Sequence, residues 1–421
     1  MKALLDQARL LDQQDELASF SKQFVPGNYD IYLDGNSLGK LPKKTIDRIK
    51  TTVEQQWGAQ LINSWNAHWL ELPKRLASTM EQLIRAGRGT VYVGESTSLN
   101  LYKLVLGLLL SNRFGKNLTT DLLNFPSDNY ILEGIAKHHG ALYHLLNYSS
   151  YIEADLDLLK SHIATYPGII CLSMVSFKSA YYYPVKELND WAKDHQSIIV
   201  WDMSHAVGIC DVDCQKMEIK AAVGCTYKYL NGGPGAPAFL MLDSELQNGV
   251  GNPIQGWFGH QKPFDFDLEY IQDSSIDRFA NGTPSVVSMA ALEIGLKISL
   301  EAGISSIANK NKRQIQFLIQ AVKEELLDLD YQLICPDLMD RIGGHVSISH
   351  PHAKAIVEVL KSGTKNHPSV LPDFRPPNLI RLGVASLYVS FDDLIRTVAF
   401  LKTIVVTKMY KYVEPQNHIV P

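Results

Sequence analysis

The chain has 421 residues, 46% hydrophobic and 20% charged, with a formal net charge of -4 at neutral pH. That length predicts two domains, and the composition excludes a largely disordered chain. The mild negative charge argues against a partner such as nucleic acid or an anionic membrane.

Asp6, Asp12, Asp15 and Glu16 interrupt the apolar pattern at the N-terminus, which predicts an amphipathic helix and not a secretory leader. The longest greasy stretch, 104–110, is too short to span a bilayer. Beyond residue 89, short β-rich runs alternate with helical ones. The strand runs are 90–93, 122–125, 142–146, 169–175, 198–201, 221–225 and 238–242; the helical ones are 99–110, 185–192, 286–300 and 307–327. Such alternation predicts an α/β fold with a mainly parallel sheet. The last third changes character: strands at 345–349 and 379–384, helices at 353–360 and 392–405, and a Pro-rich stretch, 371–377, that reads as a loop. We expect residues 1–40 to pack with a small α+β C-terminal domain over 301–421, and 41–300 to form the large domain. The five cysteines have no C-x-x-C pair and no nearby histidines, so we expect no metal and reduced thiols in a cytoplasmic protein.

The strongest chemical signal is Trp201-Asp202-Met203-Ser204-His205 followed by Thr226-Tyr227-Lys228-Tyr229-Leu230-Asn231-Gly232-Gly233-Pro234-Gly235. An acid and a lysine each end an apolar run, and a Gly/Pro turn follows the lysine. Pyridoxal phosphate needs this pair, a lysine to hold it covalently and an acid to face its protonated pyridine nitrogen. At about 4 Å and an effective dielectric near 20, that ion pair is worth roughly 4 kcal/mol before desolvation. An isolated Asp and Lys would read as surface charges, but burying a lysine without a function is costly. Gly94-Glu95-Ser96-Thr97-Ser98 lies between a strand and a helix, where free N–H groups can bind a phosphate dianion. Alone it would read as a helix cap.

The run from Tyr227 to Pro237 resembles the lysine motif of kynureninases, fold-type I pyridoxal-phosphate enzymes that hydrolyse L-kynurenine to anthranilate and L-alanine in tryptophan degradation. The likeness continues in Gly35-Asn36-Ser37-Leu38-Gly39, Phe125-Pro126-Ser127-Asp128, Gly256-Trp257-Phe258-Gly259-His260 and Asn378-Leu379-Ile380-Arg381. It implies a fold-type I architecture, with a seven-stranded-type sheet in the cofactor-binding domain, and a homodimer with shared active sites. It also implies roles. Lys228, Tyr227 and Asp202 would be catalytic. Phe125 would stack on the cofactor, Asp128 and Asp202 would face its pyridine side, and His205 and Ser173 would lie close to it. Thr97, Ser98, Trp257, Thr283 and Tyr227 would reach its phosphate. Arg381 would bind the substrate carboxylate, and Trp65 and Ser37 would contact the aromatic end.

The chain departs from the family in three places. Ser179-Ala180 stands where Thr-Gly is common, Ala385-Ser386-Leu387-Tyr388 where the family has Pro-Leu-Tyr, and Ser176 replaces a larger polar residue. These bear on the choice of substrate (kynurenine, 3-hydroxykynurenine or another β-cleavable amino acid) more than on the cofactor. Two other readings stay open: a cysteine-desulfurase-like lyase or aminotransferase of the same fold type, and a non-catalytic paralogue that binds the cofactor or a metabolite.

Overall fold

The computed structural model describes residues 1–413, so positions 414–421 of the expected C-terminal unit lie outside the described residues. In chain order the strands are β1 (Ile31–Leu33), β2 (Val91–Val93), β3 (Asn117–Asp121), β4 (Leu142–Leu146), β5 (Gly168–Ser173) and β6 (Ile198–Asp202). They continue as β7 (Ala221–Gly224), β8 (Phe239–Leu242), β9 (Gln332–Leu333), β10 (His345–Ser349), β11 (Val370–Arg375) and β12 (Leu379–Gly383).

Strands β2 to β8 form a seven-stranded sheet in the order β2-β8-β7-β6-β5-β3-β4, in which β8 alone runs against its neighbours. Its central strands are buried throughout because side chains on both faces meet helices. Ile170 and Leu172 of β5 enter one core, Ile169 and Cys171 the other. A strand covered on both faces reads as an unbroken apolar run, which made β5 to β7 legible.

The expected strand at 122–125 is a turn instead. Its strand is the more polar β3, and Asp121 ends it: Oδ1 accepts the N–H groups of Leu123 at 2.9 Å and Asn124 at 3.1 Å. A carboxylate that bonds the backbone two and three residues on offers an alternative to the ladder, so the chain turns despite its apolar composition.

The second sheet has the order β1-β11-β12-β10-β9, with β1 parallel to β11 and the other pairs antiparallel. The N-terminal helix Lys2–Gln13 contributes Leu4 and Ala8 to the core of this sheet. Asp12 then caps the helix Phe391–Val406 by accepting the N–H groups of Phe391 and Asp392 at 2.8 and 2.9 Å. The Pro-rich stretch expected to be a loop is largely β11. Pro372 faces Leu33 of β1, before pairing with β12 begins at Asp373, so its missing N–H breaks no bond of that ladder. Among the described residues no helix is long and apolar enough to cross a membrane.

Candidate active site

The two sheets meet around the lysine turn. Gly39 N–H donates to the Tyr227 carbonyl at 2.8 Å, and the Tyr229 hydroxyl donates to the Gly344 carbonyl at 2.9 Å. Lys228 follows β7 in a turn that closes through Asn231, Gly233 and Gly235, at φ of 55°, 88° and 72°. Glycine takes this left-handed backbone without steric cost, and asparagine tolerates it. The carbonyl ends of β5, β6 and β7 open onto the same place, the usual position for a ligand crevice in such a sheet.

Asp202 ends β6 and is oriented by Ser204, whose N–H and hydroxyl donate to Oδ1 at 2.9 and 2.6 Å. The Cys225 N–H donates to that same hydroxyl at 3.0 Å, which ties the acid to the lysine strand. Asp128, in the first turn of helix Pro126–His139, is buried against Asp202. Burial, the charge of Asp202 and a hydrogen bond to it push the Asp128 carboxyl well above the ordinary range; Lys228 opposes them. His205 is held neutral by burial first, then by Lys228 and Arg381. Burial, then Cys225, raises the Tyr227 phenol, so it stays protonated at neutral pH.

Phe125 caps that helix and is 43% exposed, with its ring edge-on to Phe177 at 5.3 Å. Its N–H donates to Ser173 Oγ at 3.4 Å, at the end of β5. Thr97 and Ser98 open the helix Thr97–Leu110, which Ser96 caps, and Ser98 Oγ lies 3.1 Å from Ser127 Oγ on the neighbouring helix. Two helix N-termini therefore converge where a dianion is best received.

Arg381 lies on β12, wholly buried. Asp373 accepts from its Nε, the Phe177 carbonyl from Nη1, and Ser37 Oγ from Nη2 at 3.2 Å. This leaves one N–H on each terminal nitrogen, the pair that a carboxylate takes bidentately. Lys228, Tyr227, Asp202, Asp128, Phe125, Ser173, His205, Thr97, Ser98, Arg381 and Ser37 thus border one crevice. Trp65, Trp257 and Thr283 form a second group. Trp257 is 40% exposed, Trp65 packs on Phe258 at 5.9 Å, and Gly256 lies against the Asn281 backbone just before Thr283. Among the described residues none of the three has a hydrogen bond or ring contact with the Lys228 group.

Four neighbours of the site were given no role by the sequence: Ser204 and Ser127, which lie inside its motifs, and Asp373 and His345. Asp373 had a findable signal, since β11 and β12 place it opposite Arg381 once 371–377 is read as a strand. His345 is wholly buried 5.8 Å from His205, with neither ring nitrogen in a well-formed hydrogen bond. Nothing local in the sequence marks it.

These residues fit pyridoxal phosphate. Two buried carboxyls lie side by side next to a lysine, and Asp128 Oδ2 and His205 Nδ1 have no partner in the protein. A protonated pyridine nitrogen and a ring hydroxyl would supply what they lack. Residues 307–401 match the family model described as the kynureninase C-terminal domain. The kynureninase of Pseudomonas fluorescens is 32% identical over 405 residues, 95% of each chain. The chain belongs to the kynureninase family. The kynureninase of Burkholderia pseudomallei, strain K96243, is 31% identical over 412 residues, 96% of each chain. Among solved structures, the apo cysteine desulfurase of Thermococcus onnurineus NA1 has a TM-score of 0.75 at 17% identity, covering 90% of this chain and 95% of that one. A mutant of C-DES, with glycine linked covalently to its PLP cofactor, has a TM-score of 0.77 at 15% identity, with coverages of 89% and 97%. The mixed α/β fold with its mainly parallel sheet is shared with these structures.

Proposed function

We propose that this chain hydrolyses L-kynurenine, or its 3-hydroxy form, to the anthranilate and L-alanine, with pyridoxal phosphate bound through Lys228. The observation that carries the site assignment is the buried Asp128–Asp202 pair facing the charge of Lys228, with His205 in the common field of Lys228 and Arg381, in a chain related to kynureninases along nearly its whole length. When bound, the cofactor supplies an electron sink for the pair released by Cβ–Cγ cleavage. Asp202 would face the pyridine nitrogen and keep it protonated, Phe125 would lie against the ring, and Thr97 and Ser98 would receive the phosphate. Arg381 fixes the substrate carboxylate with its two remaining N–H groups. Lys228 Nζ would take the α-proton of the substrate, and a water would add at the γ-carbonyl. The protonated Tyr227 phenol returns a proton as the bond breaks.

Trp257 and Thr283 we assign to the phosphate, and Trp65 and Ser37 to the aromatic end of the substrate. A homodimer in which each subunit completes its partner's site would bring these groups together. The division at residues 40 and 300, and a cytoplasmic location, belong to the same reading.

A desulfurase reading needs a reactive cysteine. Cys335, the candidate in the last third, is buried and its thiol is pushed up to about 11, mainly by burial. Such a thiol is a poor nucleophile at neutral pH.

The test is an absorbance spectrum of the purified protein, followed by addition of L-kynurenine. A cofactor band, absent from Lys228→Ala, with fluorescent anthranilate accumulating is the expected result. A band that responds to L-kynurenine and to its 3-hydroxy form, with neither anthranilate nor 3-hydroxyanthranilate appearing, would remove the hydrolase assignment. No band after added pyridoxal phosphate would remove the cofactor as well.

A further inference from the structure

Lys103 lies on the helix Thr97–Leu110, and its side chain is wholly buried. Its ammonium donates to the Phe279 carbonyl at 2.7 Å and to Asn281 Oδ1 at 3.1 Å, and stands 4.8 Å over the ring of Tyr92. Burial holds it down to about 8, against Glu95. A buried cation answered by neutral oxygens is costly to keep, whereas an apolar side chain would fill the same space at less cost. What the lysine adds is the direction of its two hydrogen bonds.

Both bonds end on the segment that carries one of the assigned phosphate donors and organises the other. Asn281 Nδ2 donates to the Ile254 carbonyl at 2.9 Å, and the Asn281 carbonyl accepts the Phe258 N–H at 3.2 Å. A Cβ on Gly256 would stand 2.2 Å from that carbonyl oxygen, so the two backbones are in direct contact. Trp257 lies between Gly256 and Phe258, and Thr283 follows Asn281 by two residues. On the other side, Thr97 and Ser98 sit about one and a half turns before Lys103 on its own helix.

We propose that Lys103 is a positioning residue for cofactor-phosphate binding, a buried post that holds the Trp257 and Thr283 loops of its own subunit in the place from which they reach the phosphate of the partner's site. The proposal rests on the assignment of Trp257 and Thr283 to the phosphate. The lysine touches no cofactor atom; it acts through Asn281.

Comparing pyridoxal phosphate with pyridoxal, which lacks the phosphate, isolates this role. Dissociation constants for both are measured by absorbance titration of cofactor-stripped wild type, Lys103→Met and Asn281→Ala. Each variant should weaken pyridoxal phosphate at least about tenfold, the effect of one lost hydrogen bond to a dianion, and leave pyridoxal unchanged. Asn281→Ala keeps the lysine and the helix packing, so it carries the test if thermal unfolding shows Lys103→Met to be misfolded. Equal weakening of both ligands, or wild-type affinity for pyridoxal phosphate in Asn281→Ala, overturns the proposal. Trp257→Phe and Thr283→Ala separate the two levels. If they leave the ratio of the two affinities at the wild-type value, the phosphate assignment itself fails. If they lower it while Asn281→Ala does not, the positioning role alone fails.

Discussion

Ala180 stands at φ 61°, in the left-handed region, where the related motif has glycine. Its N–H donates to the Ser176 carbonyl at 3.0 Å and its carbonyl accepts from Gly343 at 2.8 Å, so the surrounding bonds hold it there. An alanine in this conformation costs about 1 kcal/mol relative to glycine, partly offset by the greater freedom glycine has when unfolded. Ala180→Gly should therefore stabilise the fold by up to about 1 kcal/mol, read as a higher urea midpoint at unchanged slope. A lower midpoint would place the strain elsewhere. Asp34 presents a different conflict. Burial first, then Asp373, pushes its carboxyl up to about 6, against Ser37, Arg381 and Arg375. The fold therefore binds this proton more tightly than the unfolded chain does. Its contribution to stability is complete below about pH 4 and is lost as pH rises through 6. Asp34→Asn, which does not titrate, should stabilise by up to about 3 kcal/mol at pH 8 and by clearly less at pH 5. The same gain at both pH values in urea unfolding would show an ordinary carboxyl.

Between elements, the loop Gly35–Gly39 is the piece that locks the lysine turn to the second sheet. A Cβ on Gly39 would lie 2.3 Å from the Lys228 carbonyl oxygen and 2.5 Å from Asn231 Oδ1, both parts of the turn itself. Gly39→Ala must displace that turn, at a cost of about 1–3 kcal/mol. The expected outcome is a weakened cofactor absorbance band and reduced turnover in a protein that still folds; wild-type values of both would show that the loop yields instead. The glycine was visible in the sequence, but the reason for it was not, because a close approach between residues 39 and 228 has no local signature. The same division runs through the fold. Buried parallel strands announced themselves because both faces are apolar. Strand β3 did not, because its polar residues are satisfied inside the protein: Thr120 bonds Asn129 at 2.9 Å, and Asp121 bonds Tyr148 at 3.0 Å. Strand β11 was hidden by a proline that its pairing tolerates. Arg381 was singled out through a motif, whereas Asp373, which holds its Nε, became visible only through strand register.

For the whole molecule, the residues assigned to the site fall into two groups on one chain. The Lys228 group lines a crevice. The Trp65, Trp257 and Thr283 group sits on a surface that also exposes Trp57, Ile62 at 73% and Phe266 at 73%. An exposed apolar surface of this kind is what a subunit interface would cover, and a two-fold interface would use it twice. The same operation that covers it can carry Trp257 and Thr283 into the partner's crevice. Two inactive chains distinguish this arrangement from one in which each subunit is self-sufficient. Lys228→Ala removes the cofactor anchor, and Trp257→Ala with Thr283→Ala removes the donated group. If sites are shared, a mixed dimer concentrates both lesions in one site and leaves the other intact. Random pairing makes half of the dimers mixed, so unfolding and refolding an equal mixture should restore about a quarter of wild-type activity. With self-sufficient subunits every site in the mixture carries a lesion, and activity stays at the average of the two variants. Recovery has to come from exchange between subunits, so the mixture must remain inactive until dimers are dissociated and allowed to re-form.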